Sequence, residues 1–335
     1  MRIPLSIAGV EIERAWPTAD ETFVVEGRDA SGAVRAGRIV ATADGFEADI
    51  PPSKHDPKLP QLADAPGELV GHRAGKRAVL RNGDEFWKVV RSKKADGLLR
   101  VNAFGAELAS AAGFTTATPR LVAPGVLATD RLPGVGLKRA GESWQAAWDR
   151  WAQLWPGFIA QLPEGLVVHR PADEAQVLEH WIGTAVGRGL IDDGSGAARA
   201  AARRIGERLV AESPALALSH RDLHDGQMLY DPETGQLSIL DLDTLSLAEP
   251  ALDLGNLAVH AVWRAVQGTW SRAEADVVLQ AVMTAAGHAG VSPHRVQLAQ
   301  AATALRLAAV YSYRPRWRAL ARRWLDTWLT KPVLG

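Results

Sequence analysis

Short alternating runs of apolar and polar positions dominate the chain up to about residue 140, and long helical periodicities follow. "TFVVEGRD" (22–29) and "VRAGRIVAT" (34–42) flank "ASGA" and predict a small antiparallel meander in the first sixty residues. "DIPPSKHDPKLP" (49–60), with its prolines and lysines, reads as an exposed linker. Three strands are expected next: "ELVGH" (68–72), "RAVLR" (77–81) after a turn at Gly75, and "FWKVV" (86–90) after Asn82-Gly83. An Asn-Gly pair suits a type I′ turn, whose two central residues need positive φ. Leu98, Val101, Phe104 and Leu108 recur at helical spacing through 94–112, with Gly113 as the stop. "PRLVAP" and "GVLATDRL" then predict two strands before a turn at Pro133-Gly134. From 141 the spacing predicts helices near 141–162, 172–189 and 195–211, and again from about 250 to the end. Trp144, Trp148, Trp151 and Trp155 fall on one helical stripe, expected to be a packing face.

Composition narrows the possibilities. The 335 residues are 47% hydrophobic and 23% charged, an ordinary globular balance with room for two or three lobes. Lys plus Arg equals Asp plus Glu, 38 of each, so nothing marks nucleic acid or an anionic membrane as a partner. With no cysteine, disulfides, thiolate metal sites and a cysteine nucleophile are excluded. The opening "MRIPLSIAGVEIER" meets acidic residues before a signal-length apolar core, and no stretch is apolar for the length of a bilayer, so a cytoplasmic location is expected.

The candidate chemistry lies in "HRDLHDGQMLYDPETGQLSILDLDT" (220–244), which interrupts the helical half. Read as a loop after the strand "LALSH", then a hairpin turning at "DPETG", it brings Asp222 and Gln227 back beside Asp241 and Asp243. Carboxylate and amide oxygens without nitrogen or sulfur suit a hard cation such as Mg²⁺. One carboxylate left off the metal can accept a proton from a hydroxyl. Phosphoryl transfer needs this division of labour. A second reading is a metal-dependent hydrolase with His220, Asp222, His224 and Asp225 as ligands.

The stretch resembles the catalytic segment of the protein-kinase-like superfamily: His220-Arg221-Asp222, then Gln227 five residues on, then Asp241 at a strand end. "LDLD" (240–243) and "EPALDLGNL" (249–257), with Asp253, are closest to the aminoglycoside phosphotransferase group of small-molecule kinases. The run from His220 through His224 and Gly226-Gln227 also resembles bacterial maltokinases and glucosamine kinases, which use Gln at that place and carry an extra N-terminal segment. The resemblance implies an α+β, two-lobed fold: an N-terminal antiparallel β segment (1–60), a β-rich lobe (61–132) and a mostly helical lobe (133–335). It implies ATP and Mg²⁺ as cofactors and a small-molecule hydroxyl acceptor, a sugar, amino sugar or aminoglycoside. Asp222 would be the base, and Gln227 and Asp241 metal ligands. Asp243 would be a second metal ligand or an acceptor contact, and His224, Asp225 and Asp253 would serve the acceptor side or support the loop.

The same resemblance requires a strand lysine for the phosphates and a helix glutamate to hold it, here Lys88 and Glu107. It gives "GHRAGKR" (71–77) as the phosphate-covering turn, with Arg73, Lys76 or Arg77 able to meet phosphate oxygens. Backbone around Asp130 to Leu132 would face the adenine. A protein Ser/Thr kinase fits less well, because His224 stands where such enzymes often place a lysine and no Ala-Pro-Glu follows Asp241. A non-catalytic nucleotide-binding module has no need of the base that Asp222 supplies.

Overall fold

The structure, a computed structural model, describes residues 2–18 and 21–331; the outermost residues of the expected first and last segments lie outside these. The first segment is a five-stranded antiparallel meander in the order β1 (Ser6–Ile7), β2 (Val10–Pro17), β3 (Thr22–Asp29), β4 (Val34–Thr42), β5 (Gly45–Asp49). The second sheet has the order β6 (Glu68–Arg73), β7 (Arg77–Asn82), β8 (Glu85–Val90), β10 (Val126–Asp130), β9 (Arg120–Ala123), with α1 (Ser92–Ala111) between β8 and β9 in sequence. The β7–β8 turn falls one residue later than the predicted Asn82-Gly83 pair: Asn82 ends β7 and pairs with Glu85, and Gly83-Asp84 make the turn, where Gly83 alone has positive φ (+61°).

The remaining chain is mostly helical: α2 (Trp144–Ile159), α3 (Pro171–Gly187), α4 (Ala197–Val210), α5 (Pro250–Val266), α6 (Arg272–His288), α7 (Pro293–Ser312) and α8 (Arg318–Leu329). Two small antiparallel sheets interrupt it, β11 (Val135–Gly136) with β13 (Met228–Asp231) and β14 (Gln236–Ile239), and β12 (Ala217–Ser219) with β15 (Ser246–Ala248). Proline opens α3, α5 and α7, where a missing N–H costs nothing, and Ser271 with Glu274 forms a capping box on α6. The four tryptophans of α2 are all buried, as their spacing predicts, and contact one another in sequence within the core of the helical lobe, the first two pairs edge-on and Trp151–Trp155 tilted.

Two further expectations need correction. Alternation in β3 suggests one solvated face, yet Phe23 to Gly27 is buried throughout and Arg28 beyond it is exposed. Phe23 and Val25 pack into a core shared with α3, α4, α7 and α8, where the Phe23 ring lies 6.2 Å from Tyr313. Glu26, buried as well, accepts the backbone N–H of His72 in β6 at 2.6 Å. The N-terminal sheet is therefore wedged against both lobes. Residues 49–60 are likewise no simple exposed linker: Leu59 and Leu62 are fully buried in the core of the second sheet. Asp56, also buried, bonds His72 Nε2 at 2.9 Å and accepts the N–H groups of Gly75 at 2.6 Å and Lys58 at 2.9 Å. A buried carboxylate needs such partners, and here they hold the β6–β7 turn.

Asp56→Ala is expected to lower stability by about 2–4 kcal/mol, because it strands buried donors. Equilibrium denaturation should show the loss as a shifted midpoint; a change within experimental error would mean the turn is held by other contacts.

Candidate active site

The hairpin β13–β14 does what its turn signal implies, pairing Met228 with Ile239 and Asp231 with Gln236. Leu240 N–H donates to Gln227 O at 2.9 Å, which sets the start of one strand against the end of the other. His220, completely buried, joins the two motifs: Nε2–H donates to Leu240 O at 2.8 Å, Nδ1 accepts Asp222 N–H at 3.3 Å, and its carbonyl accepts Thr244 Oγ1–H at 2.8 Å. With both ring nitrogens engaged, His220 has no lone pair for a metal. His224 Nδ1 is taken by Gly226 N–H at 2.9 Å, so the four-ligand hydrolase arrangement loses its histidine geometry.

Two non-glycine residues here adopt the left-handed region, Arg221 (φ +65°) and Asp241 (φ +56°), a conformation that costs roughly 1–3 kcal/mol and persists only when neighbours impose it. Asp253, on the first turn of α5 and fully buried, accepts the N–H groups of His220 and Arg221 at 2.8 Å each. Both of its carboxylate oxygens are thus bound to the loop backbone. Asn256, one turn on, donates to Leu223 O at 2.8 Å. Glu174 of α3 holds the loop from the other side, bonding His169 Nε2 at 3.0 Å and lying 3.5 Å from Arg221.

Lys88 Nζ donates to Asp241 Oδ1 at 3.0 Å and to Asp243 Oδ1 at 2.9 Å, while Arg77 lies 3.7 and 3.6 Å from the outer oxygens of the same carboxylates. Two cations and two anions thus close a neutral cluster between the second sheet and the helical lobe. Burial alone would raise the Asp241 carboxyl, but Lys88 and Arg77 more than offset it and hold it below the usual carboxylate range. Burial pushes Asp222 up, against the pull of Arg306 and His220. Gln227 turns its amide nitrogen toward Asp222 Oδ2 at 3.5 Å, which leaves its oxygen as a ligand atom.

Glu107 is not the partner of Lys88. It lies on an exposed part of α1, and no ion pair joins it to Lys88 among the described residues. Asn102 faces the cluster instead, donating Nδ2–H to Asp243 Oδ1 at 2.9 Å. Gly105 sets this rotation: a Cβ there would meet Leu242 Cδ1 at 2.9 Å and Leu245 Cδ2 at 3.0 Å, so α1 presses this face onto the turn after Asp241. Five residues along a helix turn through about 140° relative to the start, which carries Glu107 away from the cleft.

Between the lobes lies a cavity of about 450 Å³ whose lining includes Lys88, Asp130, Leu132, Gln227, Asp241 and Asp243. It is mainly apolar away from the charges, walled by Val79, Phe86, Leu127, Leu229 and Ile239, none of which the sequence marked as anything but core. Asp130 points its carboxylate outward, 3.5 Å from Arg120, so only its backbone can serve the cavity. Arg131 N–H is already given to Asp84 O at 2.7 Å. In the β6–β7 turn, Arg77 lines the cavity, whereas Arg73 lies over the Trp16 ring at 4.8 Å and Lys76 is exposed.

Residues 170–294 match the sequence profile of the phosphotransferase enzyme family. No curated protein matches the sequence. Among solved structures, the chain is similar to aminoglycoside phosphotransferase APH(3'')-Id from Streptomyces rimosus, with 21% identity, 76% of this chain and 96% of that one covered, and a TM-score of 0.53. Choline kinase LicA from Streptococcus pneumoniae aligns with 14% identity over 78% and 91%, TM-score 0.54. Amicoumacin kinase hAmiN, solved with AMP-PNP, Ca²⁺ and Ami, aligns with 12% identity over 96% and 90%, TM-score 0.54. The fold is shared with these phosphotransferases and kinases, and the residues that match the family profile lie in the helical lobe.

Glu174 is held at about 2, since His169, Arg306 and Arg221 outweigh the burial that would raise it. A depressed carboxyl stabilises the fold above its unfolded value of 4.5 and loses that contribution as pH falls toward about 2. Acid titration of Glu174→Gln should therefore show a flatter loss of stability between these values, and at neutral pH a deficit of roughly 2–3 kcal/mol. Superimposable wild-type and variant curves would contradict the assigned pairing.

Proposed function

We propose that the protein transfers the γ-phosphoryl group of ATP, with Mg²⁺, to a hydroxyl of a small, sugar-sized molecule. The carrying observation is the convergence of Lys88, Arg77, Gln227, Asp241 and Asp243 on one interlobe cavity, with Asp222 held behind Gln227. The cavity has the size and apolar walls that a nucleotide base and ribose require, and its polar groups gather at one end.

The donors also fit the metal. The Asp241 carboxylate and the Gln227 amide oxygen are the hard oxygen donors that Mg²⁺ prefers. Asp241 and Gln227 would hold it; Asp243, whose Oδ1 already accepts from Lys88 and Asn102, is better suited to orienting Lys88. Bound there, Mg²⁺ would supply positive charge to the transferring phosphoryl group. Lys88 and Arg77 exchange carboxylate for phosphate oxygens when the triphosphate enters. Asp222 accepts the acceptor's hydroxyl proton, the freed oxygen forms a bond to the γ-phosphorus, and the bond to the ADP oxygen breaks.

A small acceptor is favoured over a protein by the chain after Asp241. Only residues 242–249, a tight turn and β15, separate it from α5. That is too short for the extended segment on which a peptide would lie.

Asp222→Asn should retain the rise in Tm given by ATP and Mg²⁺ together, yet lose on the order of a hundredfold or more in turnover. In the wild type, kcat/KM should fall as pH drops through the raised Asp222 value, since only the carboxylate accepts a proton. Undiminished turnover in the variant would remove Asp222 from the mechanism.

A further inference from the structure

Outside the nucleotide cavity, the surroundings of Asp222 and His224 are crowded with cations drawn from distant parts of the chain. Arg306 of α7 donates Nη2–H to Asn256 Oδ1 at 2.8 Å, and Asn256 in turn holds Leu223 O, so this guanidinium sits directly under the catalytic loop. Arg264 of α5 bonds Asp225 Oδ2 at 3.0 Å. Arg314 stacks on Tyr311 at 4.0 Å, next to Tyr313, whose carbonyl accepts Ala15 N–H from β2; Arg14 of the N-terminal sheet is thereby brought to the same rim. Lys138 lies against the loop: a Cβ on Gly226 would fall 2.8 Å from Lys138 Cε and 2.7 Å from His224 Cε1. His224 and His260 stack at 4.8 Å among them.

The carboxylates nearby are mostly engaged elsewhere, although Asp225 Oδ1 is buried without a hydrogen-bond partner. Asp225 is committed to Arg264, Glu174 to His169 and Arg221, Asp253 to two backbone N–H groups, and Glu26 lies 3.6 Å from Arg14 while holding His72. Among the described residues, Arg306, Arg314 and Lys138 make no close ion pair with a carboxylate; Glu174 and Asp222 act on Arg306, and Asp225 on Lys138, only from a distance. Arg306 Nε and His260 Nδ1 are buried without a hydrogen-bond partner. Burial first, then the neighbouring cations, holds His224 down at about 3, and the same causes lower His260, so both rings are neutral at physiological pH and can donate without adding charge. Cations gathered without closely paired counter-ions raise the energy of the empty site, and an anion placed between them relieves it.

We infer that the acceptor is a hydroxylated small molecule bearing an anionic group, phosphate or carboxylate, held by Arg306, Arg314 and Lys138 so that its hydroxyl meets Asp222. This rests on the phosphotransferase reading and narrows its acceptor. Polycationic aminoglycosides are disfavoured by the same charges. His224, Asp225 and His260 also bring ligand atoms within 4.8 Å of one another, as a metal site would, but Arg264 on Asp225 and Lys138 against His224 repel a cation.

The test is an acceptor series with ATP and Mg²⁺, read by ADP release: glucose, glucosamine, glucose 6-phosphate, gluconate and one aminoglycoside, with calorimetric binding of each compound alongside. The phosphate or the carboxylate member should exceed glucose in kcat/KM by tenfold or more, and which of the two does so identifies the anion. Arg314→Gln and Lys138→Gln should each raise KM for that member roughly tenfold while leaving KM for ATP unchanged. Preference for glucose, glucosamine or the aminoglycoside overturns the inference, as does an unmoved KM in both variants. If no compound turns over, binding decides: heat from an anionic member, lost in Arg314→Gln, supports the site, and no binding by either anion overturns it. Failure of ATP with Mg²⁺ to raise the Tm of the wild type is a separate result, which removes the phosphotransferase reading and leaves the anion-binding measurement standing.

Discussion

Two carboxylates gripping one ammonium across a cleft hold the catalytic architecture together. Lys88 belongs to the second sheet, Asp241 and Asp243 to the turn beyond the hairpin of the helical lobe, and 153 residues separate the first pair. Arg77 completes a neutral group of four charges. Such a cluster is partly solvated, so its contribution to stability is modest. Its importance lies in pre-assembly. The same cations that balance carboxylates in the empty cleft are the ones a triphosphate would recruit, and the released carboxylate is the one a metal would need. Asp241 stays ionised because of this neighbourhood, while Asp222, one loop away, is shifted in the opposite direction. Environments that push two carboxyls apart assign them different work.

The N-terminal sheet adds a second constraint. One face of β3 is buried against the helices and Glu26 reaches β6, so the segment touches both lobes at once. Asp56 then pins the turn that precedes Arg77. In a two-lobed molecule the lobes move relative to each other unless something spans them. Here a third body spans them and also brings Arg14 near Arg314.

Much of this was legible in the sequence because it is written locally. The β7–β8 hairpin, the hairpin closing at Gly235 and the tryptophan stripe depend on residues within a few positions of one another, and the structure forms all three, with the first turn one residue past the predicted Asn82-Gly83. The convergence of Lys88, Gln227 and Asp241 was anticipated through order and spacing along a resembling family. What escaped depends on distant partners. Glu107 and Asn102 are equally plausible on α1 until Gly105 meets Leu242 and sets the helix's rotation. Asp56 looks like a linker residue until His72 and Gly75 fold over it. The arginines around the His224–His260 pair come from α5, from α7 and from the turn after α7, at positions that no spacing rule connects.

The most direct measurement is a crystal structure with AMP-PNP and Mg²⁺. Lys88 Nζ should have left Asp241 for phosphate oxygens, with Asp241 and Gln227 on the metal and the adenine between Phe86, Leu127 and Ile239. Nucleotide bound elsewhere, with Lys88 still bridging Asp241 and Asp243, would contradict the account.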